Sequence, residues 1–360
     1  MTLATGIVAL ALCLGCGILS ANAEYYQKDY YSEYNCNEPL LEHAKLTATS
    51  QLRERGPENA RLNEHRTARE HRIGMAVRHV RWAFDLASWR PTLTDLLLAT
   101  ACIQPEEKLR LAKFVFRDDF NASLIGRLLM RRFVHVATGL EYDKIEFDRD
   151  LKGKPFLKNQ GFEVEFNVSH QGRYSVLAGL VVEKDCALKP TIGVDVMKIE
   201  YGGGKPLGEF FRLMNRNFSE DEWVYIKGQC EEQEQLEAFM RNWCLKESYV
   251  KNVGVGITVD LRKVSFAIGS KELHTKRVVC DSKLRLNDEL LKDWRFEESL
   301  IDKDHCVAVA LKNIPAEEDL TGNFFETVSF AELVEGHKPL LAIDENYCED
   351  IINKEYKKMK

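Results

Sequence analysis

The chain has 360 residues, 45% of them hydrophobic and 29% charged, which is enough to bury a sizeable core and long enough for more than one structural unit. A formal charge of -6 with a pI near 5.9 excludes a general nucleic-acid binder, although a locally basic pocket can sit inside an acidic total. Ten cysteines are scattered without the His/Cys spacing of a zinc site, and most read as small core residues of a reducing compartment.

The chain opens on MTLATGIVALALCLGCGILSANA, an apolar run closing on Ala21-Asn22-Ala23. That pattern reads as a secretory signal peptide over residues 1–23, although it lacks the usual basic start; a membrane anchor is the alternative. Residues 24–75 form an extension rich in Tyr and then in charge. Within it, CNEPLLEHAKLTATSQLRERGPENARLN resembles the opening strands of a discoidin-type domain of neurexin-like adhesion proteins. Only about thirty residues match, too few to close a β-sandwich, so no independently folded module is expected. RLNEHRTAREHR reads as a solvated linker.

A coherent unit starts near Val77. Ile103-Gln104-Pro105-Glu106-Glu107 offers a helix start with Pro and acids in the first turn, leading into KLRLAKFVF. A second helix follows through NASLIGRLLMRRFVHVATG, with Leu124, Leu128 and Phe133 toward the core and Gly139 as its stop. Strand-like runs KIEFDRD, FEVEFNVSH and YSVLAGLVV come next, broken by the turn LKGKP. A second unit opens with the strand TIGVDVMKIE, passes a helix capped by Ser219 and Glu222, and continues into a long helix ending at Gly254. KVSFAI, RFEES and HCVAVALKN read as later strands. Both units place a histidine, His170 or His305, just before a small-residue apolar strand, a hint of internal duplication. Beyond Ala316 the chain turns acidic and then basic at KEYKKMK, and is expected to be peripheral or partly disordered.

Four groups could carry chemistry. In the strand IGVDVM, Asp195 shares a face with Gly193 and Met197, opposite Ile192, Val194 and Val196. An acid there is either on an exposed edge or paired. On the long helix, Leu236, Phe239, Met240 and Trp243 make an apolar stripe whose next position is Glu247, and Lys251 follows one turn later. Taken alone, Glu247 and Lys251 are an ordinary surface pair; with Asp195 from another element, two carboxylates in apolar surroundings suit Mg²⁺. Arg149, Lys152 and Lys154 surround the turn DRDLKGKP, with Arg110 on a preceding helix; the group reads as surface charge or as a phosphate grip. Finally, Ser169 and His170 are sequence neighbours on a strand and point to opposite faces, so a serine hydrolase is unsupported.

Together, FNVSHQGRYSVLAGL, IGVDVMKIE, FFRLMNRNFSEDEW and WCLKESYVKNVGVGI closely resemble the Sfp-type 4'-phosphopantetheinyl transferases from about Val77 to Asn313. The pair (I/V)G(V/I)D and (W/F)xxKExxxK, in this order and spacing, is specific to them. The resemblance implies an α+β fold built as a pseudo-twofold pair of similar subdomains, residues 76–188 and 189–315, with the active site in the cleft between them and a tail over 316–360. It implies transfer of 4'-phosphopantetheine from coenzyme A to a serine of apo acyl or peptidyl carrier proteins, the holo-[acyl-carrier-protein] synthase reaction, releasing adenosine 3',5'-bisphosphate. Mg²⁺ is the implied cofactor, with Asp195 and Glu247 as its ligands. Arg110, Arg149, Lys152, Lys154, Asn167, Val168, Ser169 and His170 would contact coenzyme A, Lys251 its pyrophosphate, and Glu247 would take the serine proton. Bacterial relatives often carry a second acid two residues after the strand Asp; this chain has Met197, a poor Mg²⁺ ligand.

The implied acceptors are carrier domains of fatty acid synthase, of the mitochondrial carrier protein, and of enzymes of the aminoadipate-semialdehyde dehydrogenase or peptide-synthetase type. A monomer that binds no nucleic acid is expected. Coenzyme A and its acceptors imply the cytosol, against the signal-like start, so residues 1–75 are read as the opening of another gene joined by fusion or by a gene-model error. A secreted adhesion module and a pseudoenzyme that binds coenzyme A without transfer are the alternatives.

Overall fold

A computed structural model of the chain describes residues 79–181, 189–254, 259–314 and 320–357. The signal-like segment and the discoidin-like extension lie outside the described residues. Two sheets, antiparallel apart from one short parallel edge strand, are packed face to face, and each carries a long helix on its outer side. The first contains β1 (His79–Asp85), β4 (Val164–Gln171) and β5 (Tyr174–Val181), with β5 in the middle. The second contains β6 (Thr191–Lys198), β10 (Trp294–Asp302) and β11 (His305–Lys312), with β11 in the middle.

Period-two alternation makes the layers. On β5, Tyr174, Val176, Ala178 and Leu180 meet Ile192, Val194 and Val196 of β6 and Val307, Val309 and Leu311 of β11 in one dry inter-sheet core. The other face of β5 receives α3 (Arg117–Thr138), whose Phe133 ring fills the space where Gly179 has no side chain. The other face of β6 and β11 receives α6 (Glu232–Val253). Both long helices end, as their sequence signals predict, on a left-handed glycine: Gly139 at φ 73° and Gly254 at φ 66°. The α+β class is therefore observed, and each half threads a strand, a long helix and a hairpin in the same order.

The inter-sheet core also buries an ion pair that no local sequence signal reveals. Arg81 of β1 donates to both carboxylate oxygens of Glu297 of β10, at 2.7 and 2.9 Å, with both residues under 5% exposed. On the opposite face of β10, Glu298 pairs in the same bidentate way with Arg241 of α6. Removal of one partner would strand the other charge in a dry core, so each pair locks strand to strand or helix to strand.

Two expectations are corrected. The helix begun at Pro105, α2 (Pro105–Leu111), stops before KFVF, because Lys113 and Phe114 turn back to bond the carbonyls of Arg110 and Leu111. The tail is not peripheral over 320–357. Glu326–Thr327 adds a strand, β12, beside β1, and α8 (Glu345–Ile352) packs on α1 (Leu93–Ala101) and α3, burying Cys348 and Ile351. Leu320, Leu333, Cys348 and Ile351 are each about 1% exposed or less; these widely spaced apolar residues anchor a segment whose overall composition is polar. Among the described residues no helix is long and apolar enough to cross a membrane.

One contact sets the spacing of the second half. A Cβ on Gly193 would lie 2.3 Å from the Ser248 carbonyl oxygen and 2.4 Å from the Asn252 nitrogen, both backbone atoms of α6. Neither can step aside. Gly193→Ala should lower the urea unfolding midpoint by the equivalent of about 1–3 kcal/mol, whereas Gly126→Ala, which meets nothing within 4 Å in α3, should be neutral or raise it. Equal effects of the two substitutions would contradict this packing.

Candidate active site

The site lies where the edges of the two sheets meet. β4 and β6 run side by side without a backbone ladder, joined instead by side chains of β4. Asn167 Oδ1 accepts from the Val194 amide at 2.9 Å, Ser169 Oγ donates to Asp195 Oδ1 at 2.8 Å, and Gln171 Oε1 accepts from the Lys198 amide at 2.6 Å. Alternation puts Asn167, Ser169 and Gln171 on the seam, and turns Val168 and His170 toward α3. Ser169 and His170 thus diverge, as neighbours on a strand must.

Asp195 is on the edge strand of its sheet yet only 4% exposed, so the edge it occupies is covered. It sits on the face of β6 that α6 covers, two residues beyond the Gly193 contact. Lys251 Nζ reaches it from α6, donating to Asp195 Oδ1 at 2.6 Å and to Ser169 Oγ at 2.7 Å. The second oxygen, Asp195 Oδ2, is buried with no hydrogen-bond partner. Such an orphaned acceptor costs free energy unless something donates to it or binds it.

Glu247 stands at the edge of the same helix face. Leu236, Phe239, Met240 and Trp243 fill the core of the second half, Cys244, Ser248 and Asn252 lie against β6 and β11, and Glu247 remains half-buried between. Burial and then the negative charge of Asp195 push its carboxyl up to about 7, against the opposing pull of Lys251. Two neighbouring acids, one whose proton affinity is raised by burial and by the other's charge and one with a buried unused oxygen, form a fitting donor set for a hard divalent cation. Met197, on the same face, is 1% exposed and belongs to the apolar core. Among the described residues no cluster of three or more His, Cys, Asp or Glu converges, so the protein offers a cation these two carboxylates.

The basic residues divide into two groups. Lys154 Nζ donates to the Ile192 carbonyl and Lys152 Nζ to the Val253 carbonyl, while Arg149 folds back on Gly153 within the turn. This turn is thereby tied to β6 and to the C-terminal end of α6, beside a groove of about 270 Å³ lined by Phe156, Phe166 and Asn252. Arg110 does not join that turn; it lies near Arg127 of α3, and its charge adds to burial in lowering the Arg127 proton affinity. His170 is held neutral, its pKa pulled down to about 3 by burial and by the charges of Lys251, Arg127 and Lys357. Arg127 and Lys357 are absent from the sequence-based set. Arg127 sits inside an ordinary amphipathic helix, and Lys357 lies in the tail, so no local pattern points to either.

Lys246, beside Glu247 in the motif, has a different position. It is fully buried, 2.8 Å from Glu222 and bonded to the Leu261 and Val264 carbonyls. Glu222 also caps α5 (Glu220–Lys227) through the Ser219 amide. The first lysine of the motif therefore pins α6 to α5.

Comparison with known proteins gives consistent matches. Residues 87–182 match the family described as 4'-phosphopantetheinyl transferase, N-terminal, and residues 191–310 match the 4'-phosphopantetheinyl transferase superfamily. The chain is 38% identical over 279 residues to the L-aminoadipate-semialdehyde dehydrogenase-phosphopantetheinyl transferase of Xenopus laevis, covering 74% of this chain and 90% of that protein. It is 37% identical over 282 residues to the human protein of the same name, covering 74% and 89%. The 4'-phosphopantetheinyl transferase of Bacillus subtilis is 30% identical over 180 residues, covering 49% of this chain and 70% of the bacterial one.

The geometry makes the Asp195 and Lys251 pair tighter than a surface pair. A double-mutant cycle with Asp195→Asn and Lys251→Met, read by urea unfolding, should give a coupling above about 1 kcal/mol. A value within the few tenths typical of exposed pairs would mean that the contact is not maintained in solution.

Proposed function

The chain belongs to the 4'-phosphopantetheinyl transferase superfamily and transfers 4'-phosphopantetheine to carrier proteins; from that premise we propose how its residues share the reaction. The family works with coenzyme A and a divalent metal. Asp195 and Glu247 would hold the metal, here Mg²⁺. The carrying observation is the buried Asp195 Oδ2 without a partner beside the Glu247 carboxyl. Bound there, Mg²⁺ would supply positive charge to the pyrophosphate and to the departing bisphosphate.

The remaining chemistry falls to side chains. Lys251 Nζ, resting on Asp195 and Ser169, is a mobile-headed cation within reach of the same space and would bind the pyrophosphate. The carrier serine Oγ attacks the β-phosphorus, a new P–O bond forms, the bond to the adenosine 3',5'-bisphosphate oxygen breaks, and Glu247 takes the hydroxyl proton at a carboxylate oxygen. Ser169 holds Asp195 Oδ1 in place from β4, and Asn167 keeps β4 against β6; their support of the site is positional. Arg110, Arg149, Lys152, Lys154 and neutral His170 would contact coenzyme A, with Val168 lining the same strand. In support, Lys152 and Lys154, in the turn after β2 (Phe147–Arg149), reach the Val253 and Ile192 carbonyls beside the seam, and His170 lies on β4 within electrostatic range of Lys251.

We extend to this chain the acceptor named in its relatives, a carrier domain of an L-aminoadipate-semialdehyde dehydrogenase, together with carrier domains of fatty acid synthase, the mitochondrial carrier protein and peptide-synthetase-like enzymes. Holo-[acyl-carrier-protein] synthase activity follows from that acceptor class. Coenzyme A and these acceptors favour work in the cytosol as a monomer. The adhesion reading rests on residues before His79, outside the described part, and accounts for none of the seam chemistry.

The full chain with coenzyme A and Mg²⁺ should add one phosphopantetheine to an apo acyl carrier protein, seen as a mass shift. Glu247→Gln should slow that transfer more than about a hundredfold while unfolding at the wild-type urea midpoint. Wild-type turnover in the variant would remove Glu247 from the reaction.

A further inference from the structure

The last residues of the described chain do not hang free. Beyond α8, the strap Lys354–Lys357 crosses the N-terminal end of α3. The Arg117 amide donates to the Glu355 carbonyl at 2.9 Å, and Lys354 Nζ bonds the Ala112 and Phe114 carbonyls, closing the end of α2. Tyr356 lies over the guanidinium groups of Arg90 and Arg117, at 5.6 and 5.1 Å. Lys357 is fixed twice by the first turn of α3: its amide donates to Asp118 Oδ2 at 2.7 Å and its Nζ to Asp119 Oδ1 at 2.6 Å.

The same helix packs against the hairpin that carries His170. His170 is paired across the hairpin with Ser175, and Ser175 Oγ donates to the Ala122 carbonyl of α3 at 3.1 Å. Asp119 and Ala122 are three apart and share a helix face. Lys357, held on Asp119, thus stands one turn from the residue that His170 overlooks. Arg127 completes the set from further along α3. One of its nitrogens donates to the Ser123 carbonyl at 2.9 Å; its buried Nε has no hydrogen bond, the nearest carboxylate oxygen, on Glu107, being 3.9 Å away. Arg110 and Arg127 stand close enough to repel one another. With Lys357 paired to Asp119 and Arg127 held only loosely by Glu107 at 3.9 Å, these cations retain donors that a phosphate can engage.

We propose that the C-terminal strap is a working part of the coenzyme A site: Lys357, with Arg127 of α3, supplies positive charge to a phosphate group of bound coenzyme A. This rests on the transferase reading above. Coenzyme A carries two such groups, the 3'-phosphate monoester and the pyrophosphate. The strap's role is binding rather than chemistry, because no contact ties Lys357 to Asp195 or Glu247.

The experiment compares the full chain with Lys357→Met, Arg127→Gln and the control Lys205→Met, whose lysine pairs with Glu209 on α4 (Leu207–Leu213). Calorimetric Kd for coenzyme A and for 3'-dephospho-coenzyme A is measured alongside KM for each and KM for the carrier. Loss of one charge-assisted contact should weaken coenzyme A about three- to tenfold in Lys357→Met and more in Arg127→Gln, with KM for the carrier moving less than about twofold. A loss confined to coenzyme A assigns the charge to the 3'-phosphate; an equal loss for the dephospho form assigns it to the pyrophosphate. Coenzyme A affinity in Lys357→Met equal to that of wild type and of Lys205→Met overturns the proposal, as does an equal weakening in all three variants. Failure of the wild-type chain to modify any carrier would instead sink the transferase reading, and the calorimetric comparison would still decide the role of the strap.

Discussion

The close approach of α6 to β6 at Gly193 is the constraint on which the site depends. Backbone meets backbone there, at a distance that no side chain on residue 193 allows. Ala308 and Ala310 of β11, also facing the helix, keep the rest of that surface low. The consequence is geometric. With the helix so close, Lys251 spans the distance to Asp195, Glu247 comes within electrostatic range of it, and Asn252 at the helix end bonds Thr191 and the Ala310 carbonyl. A helix held farther out would leave two unrelated carboxylates.

The seam between the sheets adds the other half of the site. Because β4 and β6 do not share a ladder, their facing edges have backbone groups that side chains must satisfy, and Asn167 and Gln171 of β4 do so. Ser169 occupies the place between them and bonds a carboxylate rather than an amide. An unladdered edge gives access that a continuous sheet would close. The sheets are held together instead by the inter-sheet core, where the Val, Ile and Leu rows pack and the buried Arg81 and Glu297 pair fixes strand against strand.

Much of this was legible in sequence wherever the signal is local. The αL stops at Gly139 and Gly254, the Ser219 cap and the alternation through Ile192 to Met197 each follow from a few neighbouring residues, and each is observed. Glu247 and Lys251 alone read as a surface pair; the family pattern joining them to Asp195 was needed to bring them to one site. What stayed hidden depends on distant partners. Arg127 looks like one more polar position on an amphipathic helix, Lys246 is indistinguishable from a solvated lysine until Glu222 is placed against it, and the polar composition of 320–357 conceals four anchoring side chains. The strand β1 also escaped, since HVRWAFD buries an arginine whose partner is 216 residues away.

The seam is proposed to hold one divalent cation between Asp195 and Glu247. Titration of the full chain with Mn²⁺, followed by the loss of its free electron-paramagnetic-resonance signal in the presence of coenzyme A, tests it most directly. Binding should be saturable and displaced by Mg²⁺, and should be lost in both Asp195→Asn and Glu247→Gln with the fold retained. Wild-type Mn²⁺ binding in either variant would contradict it.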